Sequence, residues 1–129
     1  AMGAGVIDRL RQLGYAPTEV NFGGAAMEAE RYANIRAEMY FKCRDWLEAG
    51  GAIGQDADLK TELSAAEYRF TSNGRIILEG KDKIKERMGK SPDLADALVL
   101  TFAHPVRLAD NSKYRQARRM GRAPKAGSM

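Results

Sequence analysis

Between Glu67 and Glu79 the chain alternates, turns and alternates again, and nowhere else is the β signal so clear. Glu67-Tyr-Arg-Phe-Thr71 carries the first run, Ser72-Asn-Gly74 the turn, and Arg75-Ile-Ile-Leu-Glu79 the return. Asn-Gly adopts the positive φ angles that a tight hairpin needs, so an antiparallel pair is predicted. Only one further strand is predicted, Thr18 to Phe22, ended by Gly23-Gly24. A hairpin and one strand do not make a self-sufficient sheet protein. Helices must supply the rest of any core.

Those helices are legible from spacing and punctuation. Val6, Ile7, Leu10 and Leu13 recur at helical intervals, and Gly14 stops them, which predicts a helix over Gly3 to Gly14. A long helix is predicted from Met27 to Ala49, with Ile35, Met39, Trp46 and Leu47 near one side. Glu38, Lys42, Arg44 and Asp45 are then available for its wet side. Ala57 to Ala66 forms a shorter helix capped by Asp56 or Asp58. Lys81 to Met88 is a charged helical segment stopped by Gly89. Ser91-Pro92 opens a last helix running to about His104, with serine as cap and proline in the first helical position. The fold class expected is α/β, mixed α+β within this chain: one strand, a hairpin and four to five helices.

Composition narrows the chemistry. The chain has 129 residues, 44% of them hydrophobic and 29% charged, ordinary values for one globular domain. No apolar run reaches the ~18 residues of a membrane span, and no secretory leader is visible. A single cysteine, Cys43, excludes a disulfide framework within the chain, and a single histidine, His104, excludes a multi-histidine metal site. Both facts leave carboxylates as the main catalytic option. Cys43 as a nucleophile is disfavoured because no histidine lies near it in sequence. The net charge of +4 is unevenly spread: residues 107–129 hold seven Lys/Arg and one Asp, so the remainder is mildly acidic. Residues 1–106 are read as the folded part and 107–129 as a basic, disordered tail.

The last helix is the most informative stretch: Ser91-Pro-Asp-Leu-Ala-Asp-Ala-Leu-Val-Leu-Thr-Phe-Ala103. After Asp96 it carries no charge for seven residues, so it should be buried nearly all round. Asp93 and Asp96, three apart, share a face. Asp93 can also be explained as an acid in the first turn, where it complements the helix dipole. Asp96, wedged among Ala95, Ala97 and Leu98, needs a basic partner or a metal ion if it is buried. As a metal ligand it is expected to face a polar cleft or open surface. Two acids are too few for a divalent cation, which wants more oxygen ligands from other elements. Lys81, Lys83, Lys85 and Arg87 form either a DNA phosphate path or a solvated helix face. Tyr40 and Trp46 read as core or helix-packing residues.

The run from Lys81 to Phe102, with Asn34 to Gly50 and the intervening hairpin and Glu79-Gly80-Lys81, resembles the C-terminal end of the nuclease domain of tailed-phage terminase large subunits. The resemblance implies a ribonuclease H-like fold, here incomplete, and a metal-dependent DNA endonuclease lineage that uses Mg²⁺ or Mn²⁺, with metal binding expected to be weak or absent in this chain. It implies double-stranded DNA, a terminase small subunit and a portal as partners, and the cytoplasm of a bacterial host as location. By it, Asp96 is a metal ligand and Asp93 a second ligand or orienting group. The family's first two acids are expected to fall outside this chain: Gly3-Ala4-Gly5 matches the glycine pair that follows the second. No phosphate-cradling Gly-x-x-x-x-Gly-Lys-Ser/Thr motif of the family's motor domain occurs. The expectation is therefore a nuclease piece that is inactive alone. The alternative is a noncatalytic prophage remnant or nucleic-acid-binding module. Self-association to a homodimer or higher oligomer is also expected, because the strand Thr18 to Phe22 would offer an unpaired edge.

Overall fold

The computed structural model describes residues 3–105, so the tail over 107–129 and its expected disorder lie outside the described residues. Five helices and one hairpin follow in order: α1 (Ala4–Gln12), α2 (Ile35–Glu48), α3 (Ala57–Ala65), β1 (Tyr68–Phe70), β2 (Ile76–Leu78), α4 (Lys81–Met88) and α5 (Asp93–Leu100). The fold is mixed α+β, as expected. The hairpin pairs Tyr68 with Leu78, Arg69 with Ile77 and Phe70 with Ile76. Gly74, at φ 77°, makes its turn.

The predicted strand Thr18 to Phe22 does not form. Among the described residues nothing pairs with it along a ladder, and a strand is defined by that pairing. Its end is used differently. The carbonyls of Phe22 and Gly24 accept the N–H groups of Arg36 and Ile35 at 3.3 and 2.9 Å. These are the first helical residues of α2, whose amides have no partner within the helix. The third extended piece beside the hairpin is instead the segment around Tyr32, which makes one parallel bridge to Ile76.

That bridge also corrects the start of the long helix. It begins at Ile35 rather than Met27, because Tyr32 is held against β2 and Asn34 caps the helix, its side chain accepting the Ala37 N–H at 2.9 Å. The C-terminal end is a Schellman turn: Gly50 N–H donates to Leu47 and Gly51 N–H to Trp46. Gly50 sits at φ 100°, and a Cβ on Gly51 would lie 2.3 Å from the Trp46 ring, so both positions require glycine.

The core gathers Tyr32, Met39, Phe41, Cys43, Ile76, Leu78, Ala95 and Val99. α5 packs against α2 and α3. It is not buried all round: Ala95, Asp96 and Val99 face inward, while Leu94 and Leu100 stay exposed. α5 also ends at Leu100 rather than His104, continuing only as turns through Ala103. Ser91 is not its cap. Pro92 takes the cap position, no capping side chain comes from within the segment, and Asp93 is the first helical residue. The N–H groups of Leu94 and Ala95 go to Glu62 of α3 at 2.7 and 3.0 Å. Glu38 is a further correction. Placed on the wet side by periodicity, it is almost fully buried, because Met27 and Glu28 N–H groups and the Lys42 ammonium converge on its carboxylate.

Candidate functional site

Three elements meet at Asp96. α5 carries it inward beside Ala95 and Val99. α2 contributes Tyr40, whose hydroxyl donates to Asp96 Oδ1 at 3.0 Å. The junction between β2 and α4 contributes Lys81, whose ammonium is ion-paired with Asp96 Oδ2. One turn before Tyr40 on the same helix, Arg36 lays its guanidinium over the Tyr40 ring, 5.5 Å from the centroid. Its Nη1 donates to the Glu79 carbonyl at 2.7 Å. Lys81 in turn rests over the ring of Phe22, 4.7 Å from its centroid.

The placement overturns the expectation that Asp96 faces an open surface. Its side chain is 10% exposed, because Tyr40 reaches over it from α2 and Lys81 closes it from the other side. The lysine is 45% exposed, so the pair runs from the interior to solvent. The ammonium meets Oδ2 as an ion pair but outside hydrogen-bond alignment, and Oδ2 accepts no hydrogen bond. Arg36 Nε and Nη2 are likewise buried without a partner. Natural interiors leave few such atoms unsatisfied. Burial pushes the Tyr40 hydroxyl well above its ordinary pKa, and the negative charge of Asp96 adds to the shift. Tyr40 is therefore a neutral donor at any physiological pH.

Asp93 lies on the exposed side of α5's first turn, and the structure gives it no ion-pair or hydrogen-bond role with Asp96. The four cations of α4 do not form one stripe. At about 100° per residue, Lys81 and Lys85 fall on one side and Lys83 and Arg87 on the other. Arg87 is engaged with Glu79: its Nη1 donates to Oε2 at 3.0 Å and its Nη2 pairs with Oε1. The Arg87 guanidinium, with the Glu67 N–H, holds the Glu79 carboxyl below its usual value. Lys83 and Lys85 are exposed.

Asp96 offers one carboxylate, but Tyr40 already donates to its Oδ1 and the Lys81 ammonium is paired with its Oδ2, whereas a hard cation takes several oxygen ligands. Among the described residues, no three His, Cys, Asp or Glu side chains come together to hold a metal. Sequence reasoning missed Arg36 and Tyr40 as members of this site. Their four-residue spacing on a helix with a tyrosine hydroxyl to place was the available signal.

No family model matches the sequence, and none of the curated proteins is similar enough to count as a relative. Solved structures do match. The fold is similar to that of the nuclease domain of a phage large terminase subunit. The nuclease domain of the large terminase subunit gp2 of bacterial virus Sf6 superposes with a TM-score of 0.55 at 20% identity, covering 83% of this chain and 63% of that one. A lysine-to-alanine variant of that domain with manganese gives 0.52 at 24% identity over 81% of this chain and 64% of the other. The same variant with calcium gives 0.52 at 24%, over 81% and 63%. This chain therefore spans just under two thirds of the domains it matches, and the likeness establishes the fold.

Proposed function

We propose that this chain is part of the nuclease domain of a tailed-phage terminase large subunit, a metal-dependent DNA endonuclease of viral DNA packaging. The observation that carries the reading is the fold, shared with terminase nuclease domains solved with manganese and calcium, in which Asp96 is a carboxylate buried on α5 beside Tyr40 and Lys81. Asp96 is the proposed ligand of Mg²⁺ or Mn²⁺, and Asp93 a second ligand or an orienting group reached from the same helix turn. The bound cations would polarise the phosphodiester and activate the attacking water. Lys83 and Lys85, with Lys81 and Arg87 on the same helix, are the proposed contacts to DNA phosphates. Small subunit, portal and a cytoplasmic location in the bacterial host remain part of the same proposal. Among the described residues no helix is long and apolar enough to cross a membrane.

The experiment is plasmid cleavage. Because no third acid joins Asp93 and Asp96 among the described residues, the chain alone is expected to leave supercoiled plasmid intact in Mn²⁺. Nicking or linearisation that vanishes in Asp96→Ala would show that the chain holds a complete site. The same observation favours the second reading, a noncatalytic module that binds nucleic acid. Salt-dependent DNA binding without cleavage by any assembly of the chain supports that one.

The proposal extends to self-association. Thr18, Glu19 and Val20 have no ladder partner among the described residues. With α1 and the end of α5 they border an open groove of about 770 Å³, lined by Ile7, Val20, Phe22 and Pro105 among others. Val6 of α1, Leu13 and Tyr15 just after it, and Leu100 of α5 are exposed. A second copy seated here would cover apolar surface and complete backbone pairing. Light scattering behind a sizing column is expected to give a dimer or larger species at tens of micromolar. A clean monomer would show that the groove does not recruit its own copy.

A further inference from the structure

We infer that the outer edge of β1 binds the same edge of a second copy, in an antiparallel register centred on Tyr68. This surface lies on the hairpin, separate from the groove beside α1, and it stands independently of the nuclease reading. β1 has a neighbour on one side only: β2 pairs with it, and Tyr32 bridges to the far side of β2. The Thr71 N–H donates to the Arg75 carbonyl at 2.8 Å and the Glu79 N–H to the Glu67 carbonyl at 2.9 Å. With the register of the hairpin, these bonds put Glu67, Arg69 and Thr71 among the residues bonded toward β2. By alternation the N–H and C=O groups of Tyr68 and Phe70 point outward, and among the described residues no backbone group pairs with them. An open edge of this kind is a template for another chain.

The side chains select the occupant. Tyr68 and Phe70 share the face on which Ile76 and Leu78 are buried, yet they overhang the core, 53% and 62% exposed. Their rings meet edge to face, 6.1 Å between centroids, and Tyr68 meets Phe41 in the same way at 5.1 Å. The opposite face carries Glu67 and Arg69, both exposed. Glu67 meets Arg87 only at 3.8 Å, while Arg87 is engaged with Glu79, and Arg69 has no ion pair among the described residues. Three twofold registers are open to such an edge. Centred on Arg69, the pairing sets that cation against its own copy, and like charges directly opposite are destabilising. Centred on Phe70, it sets Arg69 against Thr71. Centred on Tyr68, it sets Arg69 against Glu67 twice, once on each side of the axis. The same register brings the two Tyr68 rings together and places Phe70 opposite Ala66, whose backbone is already extended at φ −73° and ψ 116°. One patch then matches its own copy in backbone, apolar face and charge, as a twofold interface requires.

The test is sizing with light scattering on the full chain, comparing wild type, Arg69→Glu, Glu67→Arg and an equimolar mixture of the two variants. Both side chains are exposed, so neither change touches the core. Alone, Arg69→Glu sets carboxylate against carboxylate and Glu67→Arg sets cation against cation, twice per dimer. Each is expected to raise the dimer dissociation constant about tenfold. In the mixture every cross-strand pair is again of opposite sign, so association is expected to return to the wild-type level as a heterodimer. Variants that associate as wild type does overturn the inference and leave the groove beside α1 as the self-contact. Weak association that mixing does not restore overturns the register and the inference with it. A monomeric wild type overturns both surfaces. Amide hydrogen exchange gives a second readout on wild type: the Tyr68 and Phe70 N–H groups should slow as protein concentration rises through the dimer range. Fast exchange of both at concentrations where the dimer prevails overturns the inference.

Discussion

Replacing Glu62 by alanine is expected to cost about 3–5 kcal/mol of stability. Glu62 is 2% exposed, and its Oε2 accepts the N–H groups of Leu94 and Ala95 at 2.7 and 3.0 Å. The Lys90 ammonium stands 3.3 Å from its other oxygen. Alanine leaves two donors at the start of α5 without an acceptor, each worth roughly 1–3 kcal/mol when buried. It also opens a void between α3 and α5. Glutamine keeps a carbonyl oxygen at the Oε2 position and loses mainly the charge, so Glu62→Gln should cost about 1–2 kcal/mol. Urea unfolding of the two variants measures both figures. A loss under about 1 kcal/mol for Glu62→Ala would mean that α5 finds its cap elsewhere.

Glu38 gives the second large effect, and it carries a pH dependence. Burial by itself raises its pKa, but hydrogen bonds from Lys42 and from the Met27 and Glu28 amides outweigh burial and hold the value below 4.5. The sign follows from that. The unfolded chain takes up a proton near the ordinary value while the folded protein still keeps the carboxylate ionised. Its contribution is thus fully present above about pH 4.5 and is lost as pH falls through the lower folded value. Stability of the wild type should therefore drop below that pH. Glu38→Gln, already without the charge, should show a flatter acid limb and a lower plateau, by about 2–4 kcal/mol, at neutral pH. Thermal melts between pH 3 and 7 test this. Parallel curves for the two proteins would remove Glu38 from the acid transition.

These two carboxylates mark where reading the sequence runs out. Helical periodicity assigns charged residues to solvent, and it has no means of knowing that an N–H pair elsewhere needs an acceptor. Glu62 and the α5 amides are 32 and 33 residues apart, and Glu38 and Met27 are 11 apart. The same blindness hid Tyr40, which spacing made a packing residue and which the fold sets 56 residues away against Asp96. Features closed within a few residues were legible. Asn73-Gly74 made its hairpin, Asp56 caps α3 by accepting the Leu59 N–H, and Gly89 ends α4 at φ 76°. Asp96 stood out because an isolated acid in an apolar run has to be explained, whatever the fold. Thr18 to Phe22 misled for the converse reason: its residues suit a strand, but strands are made by neighbours, and propensity cannot supply one.

The bond from Glu62 to α5 also has a direction in time. During synthesis the acceptor on α3 leaves the ribosome well before the amides it will bind, and Tyr40 well before Asp96. Until Asp93–Leu100 emerges, a buried place for Glu62 has no donors and the apolar side of α2 that meets Ala95 and Val99 has no cover. Nascent chains halted before that point should remain open to protease and to chaperones, and resistance should arrive abruptly once α5 clears the exit tunnel. The last described helix is thus the latch of the fold as well as the bearer of Asp96. A chain able to present that carboxylate is, by the same contact, one whose synthesis has passed the step that closes its core.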